Sequence, residues 1–90
     1  MTQPDRLREL MGVLVETARA HHEATGGTND RWPEWYADRS VDRVNRLLGT
    51  EMTAPELAEW LAEADRRYTQ DGPEMSWPRA YATWLLEREQ

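Results

Sequence analysis

The sequence predicts an all-α protein, with four helices arranged as two pseudo-repeated helical hairpins that pack into a small bundle. Three observations predict it. Apolar residues recur every three or four positions in four segments, no segment shows the alternation of a half-buried strand, and the string Trp-Pro-x-x-Tyr-Ala occurs twice. The 90 residues fit a single domain, with one unit at about residues 5–49 and the other at about 53–90.

The first hairpin is predicted from two apolar stripes separated by a glycine turn. Helix one is expected from Leu7 to His22, ending before Gly26-Gly27. Helix two begins at Trp32-Pro33, because the fixed φ of proline suits the first helical position, and it ends at Gly49. The expected buried stripes are Leu7, Leu10, Met11, Leu14 and Ala18 in helix one, and Tyr36, Ser40, Val44, Leu47 and Leu48 in helix two.

The second hairpin is predicted from stronger end signals. Thr53 and Glu56 have the spacing of a capping box, so a third helix should start there. Asp71-Gly72-Pro73 ends that helix, and Ser76-Trp77-Pro78 opens the fourth. The expected buried stripes are Leu57, Trp60, Leu61, Ala64 and Tyr68 in helix three, and Tyr81, Trp84 and Leu85 in helix four.

The repeat extends beyond the shared string. An arginine follows each tyrosine by seven residues, at Arg43 and Arg88. One helical hairpin cannot bury its apolar face alone, whereas two copies can bury theirs against each other. The preceding helices match as Glu9, Leu10, Leu14, Glu16, Arg19 and His21 against Glu56, Leu57, Leu61, Glu63, Arg66 and Tyr68. Equivalent positions indicate a shared structural role, so Trp32, Trp77, Tyr36 and Tyr81 are expected to be packing residues.

Composition and charge exclude several classes of function. Seventeen acidic residues against eleven basic ones give a net charge of −6, which disfavours binding to nucleic acid. The absence of cysteine excludes disulfides, thiol catalysis and Cys-ligated zinc. No apolar run reaches the roughly 18 residues that a membrane helix needs, and the first residues do not form a signal peptide. We therefore expect a cytoplasmic protein without a membrane partner.

Candidate binding residues are found where the two halves differ. Opposite Thr69, Ala80 and Trp84 in the second half, the first half has His22, Trp35 and Arg39. With their neighbours, these give the predicted partner-binding or ligand-binding set His22, Trp35, Tyr36, Arg39 and Arg43. We predict no catalytic residue, metal site or cofactor, because adjacent histidines on a helix point about 100° apart and no nucleophile with a base is identifiable. Both histidines can instead complete the end of helix one.

The stretch from His21 to Ala37, with Trp77-Pro78 and Tyr81-Ala82, resembles small uncharacterised helical proteins of actinobacteria. The similarity spans most of the chain. It implies a bacterial origin, and it carries no activity, cofactor or partner over to this chain.

Two functional hypotheses remain open from the sequence. The first is a non-catalytic protein-interaction or regulatory module, which binds a protein partner or a second copy of itself through a Trp-, Tyr- and Arg-rich face on helix two. The alternative is a protein that binds a small anionic metabolite or a metal ion. Its pocket would be formed near the first loop by Trp35, Tyr36, His22 and Arg39, with the arginine contacting a carboxylate or phosphate.

Overall fold

The computed structural model describes residues 3–26, 31–72 and 74–88, and this part of the chain forms four helices and no strands. They are α1 (Gln3–Thr25), α2 (Trp32–Leu48), α3 (Ala54–Asp71) and α4 (Trp77–Arg88). The all-α prediction and the order of the four helices are therefore confirmed. Gly27 and Pro73, which the sequence places in turns, lie outside the described residues.

Glycines end the helices as predicted. Gly49 and Gly72 have φ of 70° and 53°, in the left-handed region that residues with a Cβ rarely adopt. The backbone amide of Gly49 donates to the carbonyl of Asn45 at 2.7 Å, and that of Gly72 donates to the carbonyl of Tyr68 at 3.0 Å. Each glycine thus satisfies a carbonyl in the last turn of its helix.

The capping box at the start of α3 is confirmed. The Glu56 amide donates to Thr53 Oγ1 at 3.3 Å, and the Thr53 amide donates to Glu56 Oε1 at 3.0 Å. These reciprocal bonds satisfy two amides that have no partner within the helix. Hydrogen bonds from the backbone and side chain of Thr53 lower the pKa of the Glu56 carboxyl.

The α2–α3 connection is held by one side chain that the sequence analysis did not identify. Asn45 Nδ2 donates to the carbonyl of Met52 at 2.8 Å, and the Met52 amide donates back to Asn45 Oδ1 at 3.0 Å. The hydroxyl of Thr50 also donates to Asn45 Oδ1, at 2.8 Å. Three hydrogen bonds on one amide fix the path of the chain between the two helices.

The helices pack as a small bundle around one hydrophobic core. Helix α1 packs against α2 and α4, and α3 packs against α2 and, less extensively, against α4. The largest fully buried apolar side chains come from all four helices: Leu10, Leu14, Val44, Leu57, Leu61 and Leu85. The bundle has a radius of gyration of 12.4 Å. None of the described helices is long and apolar enough to cross a membrane.

The buried face of α1 differs from the predicted stripe. Val13, Thr17 and His21 are buried, whereas Ala18 is only half-buried. The hydroxyl of Thr17 donates to the carbonyl of Val13 at 2.7 Å, and that of Ser40 in α2 donates to the carbonyl of Tyr36 at 2.6 Å. Because each hydroxyl bonds one turn back along its own helix, both polar side chains can occupy core positions.

Candidate functional site

Each Trp-Pro start holds a tryptophan against a tyrosine on the same face of its helix. The Trp32 and Tyr36 ring centroids lie 5.3 Å apart at an interplanar angle of 80°, and those of Trp77 and Tyr81 lie 5.4 Å apart at 67°. Residues four apart are neighbours on a helix surface, so the spacing itself brings the rings into edge-to-face contact. The repeated string therefore builds two similar ring pairs.

The end of α1 places a buried histidine against the first ring pair. The His21 side chain is 6% exposed, and its ring centroid lies 5.1 Å from that of Trp35 and 5.2 Å from that of Tyr36. Its Nε2 atom is buried and has no hydrogen-bond partner among the described residues. A buried polar atom in that state lowers stability, because its desolvation is not offset by a hydrogen bond.

The end of α3 places a tyrosine and a carboxylate against the second ring pair. The Tyr68 ring lies 6.2 Å from that of Tyr81, and its hydroxyl donates to the carbonyl of Met75 at 3.0 Å. The hydroxyl of Tyr81 donates to Asp65 Oδ1 at 3.1 Å. Burial raises the pKa of Tyr81 well above its usual range, and the adjacent negative charge of Asp65 raises it further. Tyr81 is therefore a neutral hydrogen-bond donor at neutral pH.

The two ring pairs meet at one groove, which we call the aromatic groove. It has a volume of about 300 Å³. All three tyrosines of the chain, two of its five tryptophans and one carboxylate line it. These residues are Trp32, Tyr36, Asp65, Tyr68, Trp77 and Tyr81. Tyr81 forms the buried floor, whereas the other four rings are half-buried and Asp65 is exposed.

Two other grooves run along the helix pairs. The groove between α1 and α2, about 430 Å³, contains Glu16 and Arg43, whose Oε2 and Nη1 atoms form an ion pair at 2.7 Å. The groove between α3 and α4, about 420 Å³, contains Arg67, whose guanidinium carbon lies 4.2 Å from the Trp84 ring centroid. Arg43 and Arg67 in these grooves are thus already engaged within the chain.

The structure brings most of the sequence-predicted binding residues together. Trp35 and Tyr36 both contact His21, and the guanidinium carbon of Arg39 lies 5.6 Å from the Trp35 ring centroid. Arg43 lies further along α2 and pairs with Glu16 of α1. His22 is exposed, so the histidine within this cluster is His21, and only Tyr36 of the predicted set lines the aromatic groove.

Sequence reasoning missed the other groove residues because it assigned the tryptophans to packing. A signal for them existed. The repeated string gives two matching ring pairs, and two such pairs form a larger aromatic surface wherever the helix starts pack side by side. Asp65 precedes Tyr68 by three residues, which places both on one face of α3. The missing information was the relative placement of the two helix starts.

Within the described ranges, no group of three or more His, Asp or Glu side chains is arranged to hold a metal ion. The aromatic groove offers ring faces, neutral hydroxyls and one carboxylate. Such a surface can hold an apolar or cationic group.

Comparison of the chain with protein-family models, curated proteins and solved structures found no match. The resemblance to actinobacterial helical proteins therefore stays a prediction, and the function must be argued from the geometry of the chain itself.

Proposed function

We propose that the protein is a non-catalytic binding module that recognises a partner through the aromatic groove. The observation that supports this proposal is the convergence of both Trp-Tyr ring pairs with Tyr68 and Asp65 on one open groove. Tyrosine and tryptophan are the residues most enriched at energetically dominant positions of interfaces, because each offers a large rigid surface with one polar atom. Half-buried rings beside a carboxylate match that description.

The interaction-module hypothesis from the sequence is retained, but the binding surface we propose is the aromatic groove and not the face of α2. The sequence favoured a face of α2 centred on Trp35, Arg39 and Arg43. In the structure Trp35 contacts both His21 and Arg39, and Arg43 is paired with Glu16. The aromatic groove brings five rings onto one lining, whereas the α2 face offers Trp35 and Tyr36, so we favour the groove over the α2 face.

The alternative of a small anionic ligand has less support at this groove. Its described lining includes one carboxylate and no arginine, so an anion would meet the charge of Asp65. Arg39 already interacts with Trp35, and Arg43 already interacts with Glu16.

The cytoplasmic location and the self-association that the sequence favours both stay predictions.

We also propose that the helix pairs α1/α2 and α3/α4 are pseudo-repeats of one helical hairpin. Support comes from the shared string and from its similar ring contacts, at 5.3 Å and 80° for Trp32 with Tyr36 and at 5.4 Å and 67° for Trp77 with Tyr81. Under this proposal the aromatic groove lies where the equivalent ends of the two units meet, and the two ring pairs contribute jointly to one site.

The five tryptophan indole N–H groups provide a test of the proposed function. We would titrate ¹⁵N-labelled protein with small cationic, anionic and neutral aromatic fragments, assigning each indole signal with single Trp→Phe variants. At least one fragment class is expected to shift the signals of Trp32 and Trp77 more than that of Trp60, which lines a different groove and contacts the Tyr81 floor at 6.4 Å between ring centroids.

Two results would contradict this assignment. Shifts confined to Trp35 would return the binding surface to the α2 face. The absence of any shift at Trp32 and Trp77, with all three fragment classes at millimolar concentration, would remove the basis for a recognition groove.

A further inference from the structure

The aromatic groove contains one charged side chain among its described lining residues, and that side chain is the carboxylate of Asp65. We propose that the group bound there is the guanidinium of an arginine side chain, presented by a basic segment of a partner protein. This inference rests on the proposed function and adds the chemistry of the partner.

The rings favour a cation. The faces of Trp and Tyr rings carry negative electrostatic potential, and a cation within about 6 Å of a ring centroid is attracted to it. Trp32 and Trp77 are half-buried at the groove, and the Tyr81 floor lies 5.4 Å from the Trp77 centroid. A cationic group in the groove would therefore lie near several rings at once.

Two pairs among the described residues show this kind of contact. The Arg39 guanidinium carbon lies 5.6 Å from the Trp35 ring centroid, and that of Arg67 lies 4.2 Å from the Trp84 centroid. Neither of these tryptophans lines the aromatic groove. The groove thus presents the same type of ring to solvent without an arginine among its described lining residues.

Asp65 supplies the counter-charge. One of its oxygens accepts the hydroxyl hydrogen of Tyr81, and in the described part of the chain it forms no ion pair. A carboxylate has two oxygens with about four acceptor positions, so it can accept further N–H groups. The bond from Tyr81 fixes the orientation of the carboxylate at the edge of the groove.

Arginine fits better than other cations for two reasons. A guanidinium is planar, so it can stack on a ring and donate two parallel hydrogen bonds to a carboxylate at the same time, whereas an ammonium cannot. A volume of about 300 Å³ is also at the low end of the range for sites that enclose a whole small molecule, and one inserted side chain suits it. The net charge of −6 favours association with a basic partner segment.

The test uses short peptides as probes. Acetyl-Gly-Arg-Gly-amide is titrated into ¹⁵N-labelled protein, and the matched peptide with citrulline, which is neutral and of nearly the same shape, serves as the ligand control. We expect the arginine peptide to shift the Trp32 and Trp77 indole signals, and the citrulline peptide to bind about tenfold more weakly because it lacks the charge.

A pair of variants separates the local carboxylate from bulk charge. Asp65→Asn keeps an acceptor for Tyr81 and should weaken the arginine peptide by about tenfold, which corresponds to the loss of one charge-assisted pair. Glu59→Gln makes the same change in net charge on the exposed side of α3, outside the described groove lining, and should leave affinity unchanged. Thermal unfolding followed by circular dichroism confirms that both variants fold.

Several outcomes would overturn the inference. Equal affinity for the arginine and citrulline peptides would show that the charge of the ligand does not contribute to binding. Equal losses of affinity for the arginine peptide in Asp65→Asn and Glu59→Gln would show that only the net charge of the protein attracts it. Equal binding of the matched lysine peptide, acetyl-Gly-Lys-Gly-amide, or of tetramethylammonium would overturn the guanidinium assignment. A dimer in sedimentation that Asp65→Asn dissociates would make the occupant an arginine of a second copy. If only neutral fragments shift Trp32 and Trp77, the inference fails while the proposed function stands.

Discussion

The helix pairs α1/α2 and α3/α4 hold their Trp-Tyr ring pairs in nearly the same geometry and differ in the side chain that the preceding helix places against the tyrosine. In the first pair that side chain is His21, whose buried Nε2 has no partner among the described residues. In the second it is Tyr68, whose hydroxyl donates to Met75. The local string sets the ring contact, and the preceding helix sets how well the surrounding polar atoms are satisfied.

The same difference extends into the core. At positions matched by the sequence alignment, the first pair buries Thr17 and Ser40, whereas the second buries Ala64 and Leu85. The hydroxyls are satisfied within their own helices, but they add no apolar area. Because Leu85 is far more apolar than Ser40, the second pair gains more from burial at that position.

The largest expected effect compares the matched core leucines. Leu14 and Leu61 are 2% and 1% exposed, so Leu14→Ala and Leu61→Ala should each reduce the free energy of unfolding by about 2–5 kcal/mol. Urea unfolding followed by circular dichroism measures both. Val15→Ala, at a side chain 41% exposed, is the control and should change stability by less than about 0.5 kcal/mol. A loss of about 2–5 kcal/mol in one variant beside a loss below about 1 kcal/mol in the other would show that the two leucines are not equivalent core positions.

Signals close in the sequence allowed the helices to be predicted, because helix caps join residues only a few positions apart. Gly49 and Gly72 provide left-handed C-caps, and Thr53 forms a capping box with Glu56, three residues further on. The stripe on α1 was predicted less well. Thr17 counts as polar in any hydropathy pattern, yet its hydroxyl bonds to its own helix, which only the packed structure reveals.

The candidate site could be predicted only in part, for a physical reason. The ring pairs follow from spacing within one helix. Their joint groove depends on how α1/α2 packs against α3/α4, and no local signal specifies that. Asp65 illustrates the limit, because its contact with Tyr81 joins residues sixteen positions apart on different helices. A carboxylate on an exposed helix face gives no indication in the sequence that it borders a binding groove.

The second prediction compares the tyrosines of the two ring pairs at high pH. Burial raises the pKa of Tyr36, while burial and the charge of Asp65 together raise that of Tyr81. A tyrosine whose pKa is higher in the folded state stabilises the fold fully below its unfolded pKa, about pH 10, and that stabilisation is lost as pH rises above it. Each such tyrosine contributes a slope of up to about 1.4 kcal/mol per pH unit.

We therefore expect the free energy of unfolding to fall steeply above about pH 10, and to fall less steeply in Tyr81→Phe than in Tyr36→Phe. Urea unfolding at a series of pH values measures these slopes. Asp65→Asn should lower the pKa of Tyr81 and leave that of Tyr36 in place, as followed by tyrosinate absorbance in the corresponding single-tyrosine backgrounds. Identical slopes in the two phenylalanine variants would contradict the difference between the ring pairs.

The third prediction compares His21 and Tyr68, the side chains that contact Tyr36 and Tyr81. Replacing each by phenylalanine should change the free energy of unfolding in opposite directions. His21→Phe removes a buried nitrogen without a partner among the described residues, so it should leave stability unchanged or raise it by up to about 1 kcal/mol. Tyr68→Phe removes a hydroxyl that donates to Met75 and should lower stability by about 0.5–1.5 kcal/mol. Thermal unfolding of both variants at one pH is sufficient. A loss above about 1 kcal/mol in His21→Phe would show that the imidazole makes a stabilising polar contact.

The smallest expected effect on stability concerns the ion pairs of Glu16 and Glu63, which occupy matching positions in the two proposed repeats. Glu16 pairs with Arg43 at 2.7 Å and so joins α1 to α2, whereas Glu63 pairs with Arg66 at 2.6 Å within α3. The side chains of the first pair are 39% and 69% exposed, and water and salt screen such charges. A double-mutant cycle with Arg43→Ala and Glu16→Ala should therefore give a coupling of about 0.2–1 kcal/mol, reduced in 1 M NaCl.

The matching cycle on Glu63 and Arg66 should give about 0.5 kcal/mol or less, as expected for a pair within one helix. An interhelix pair restricts two helices and an intrahelix pair restricts one. A coupling between Arg43 and Glu16 well above 1 kcal/mol that persists in high salt would mean that the α1–α2 interface depends on this contact. The first pair would then offset its more polar core with electrostatics that the second pair does not use.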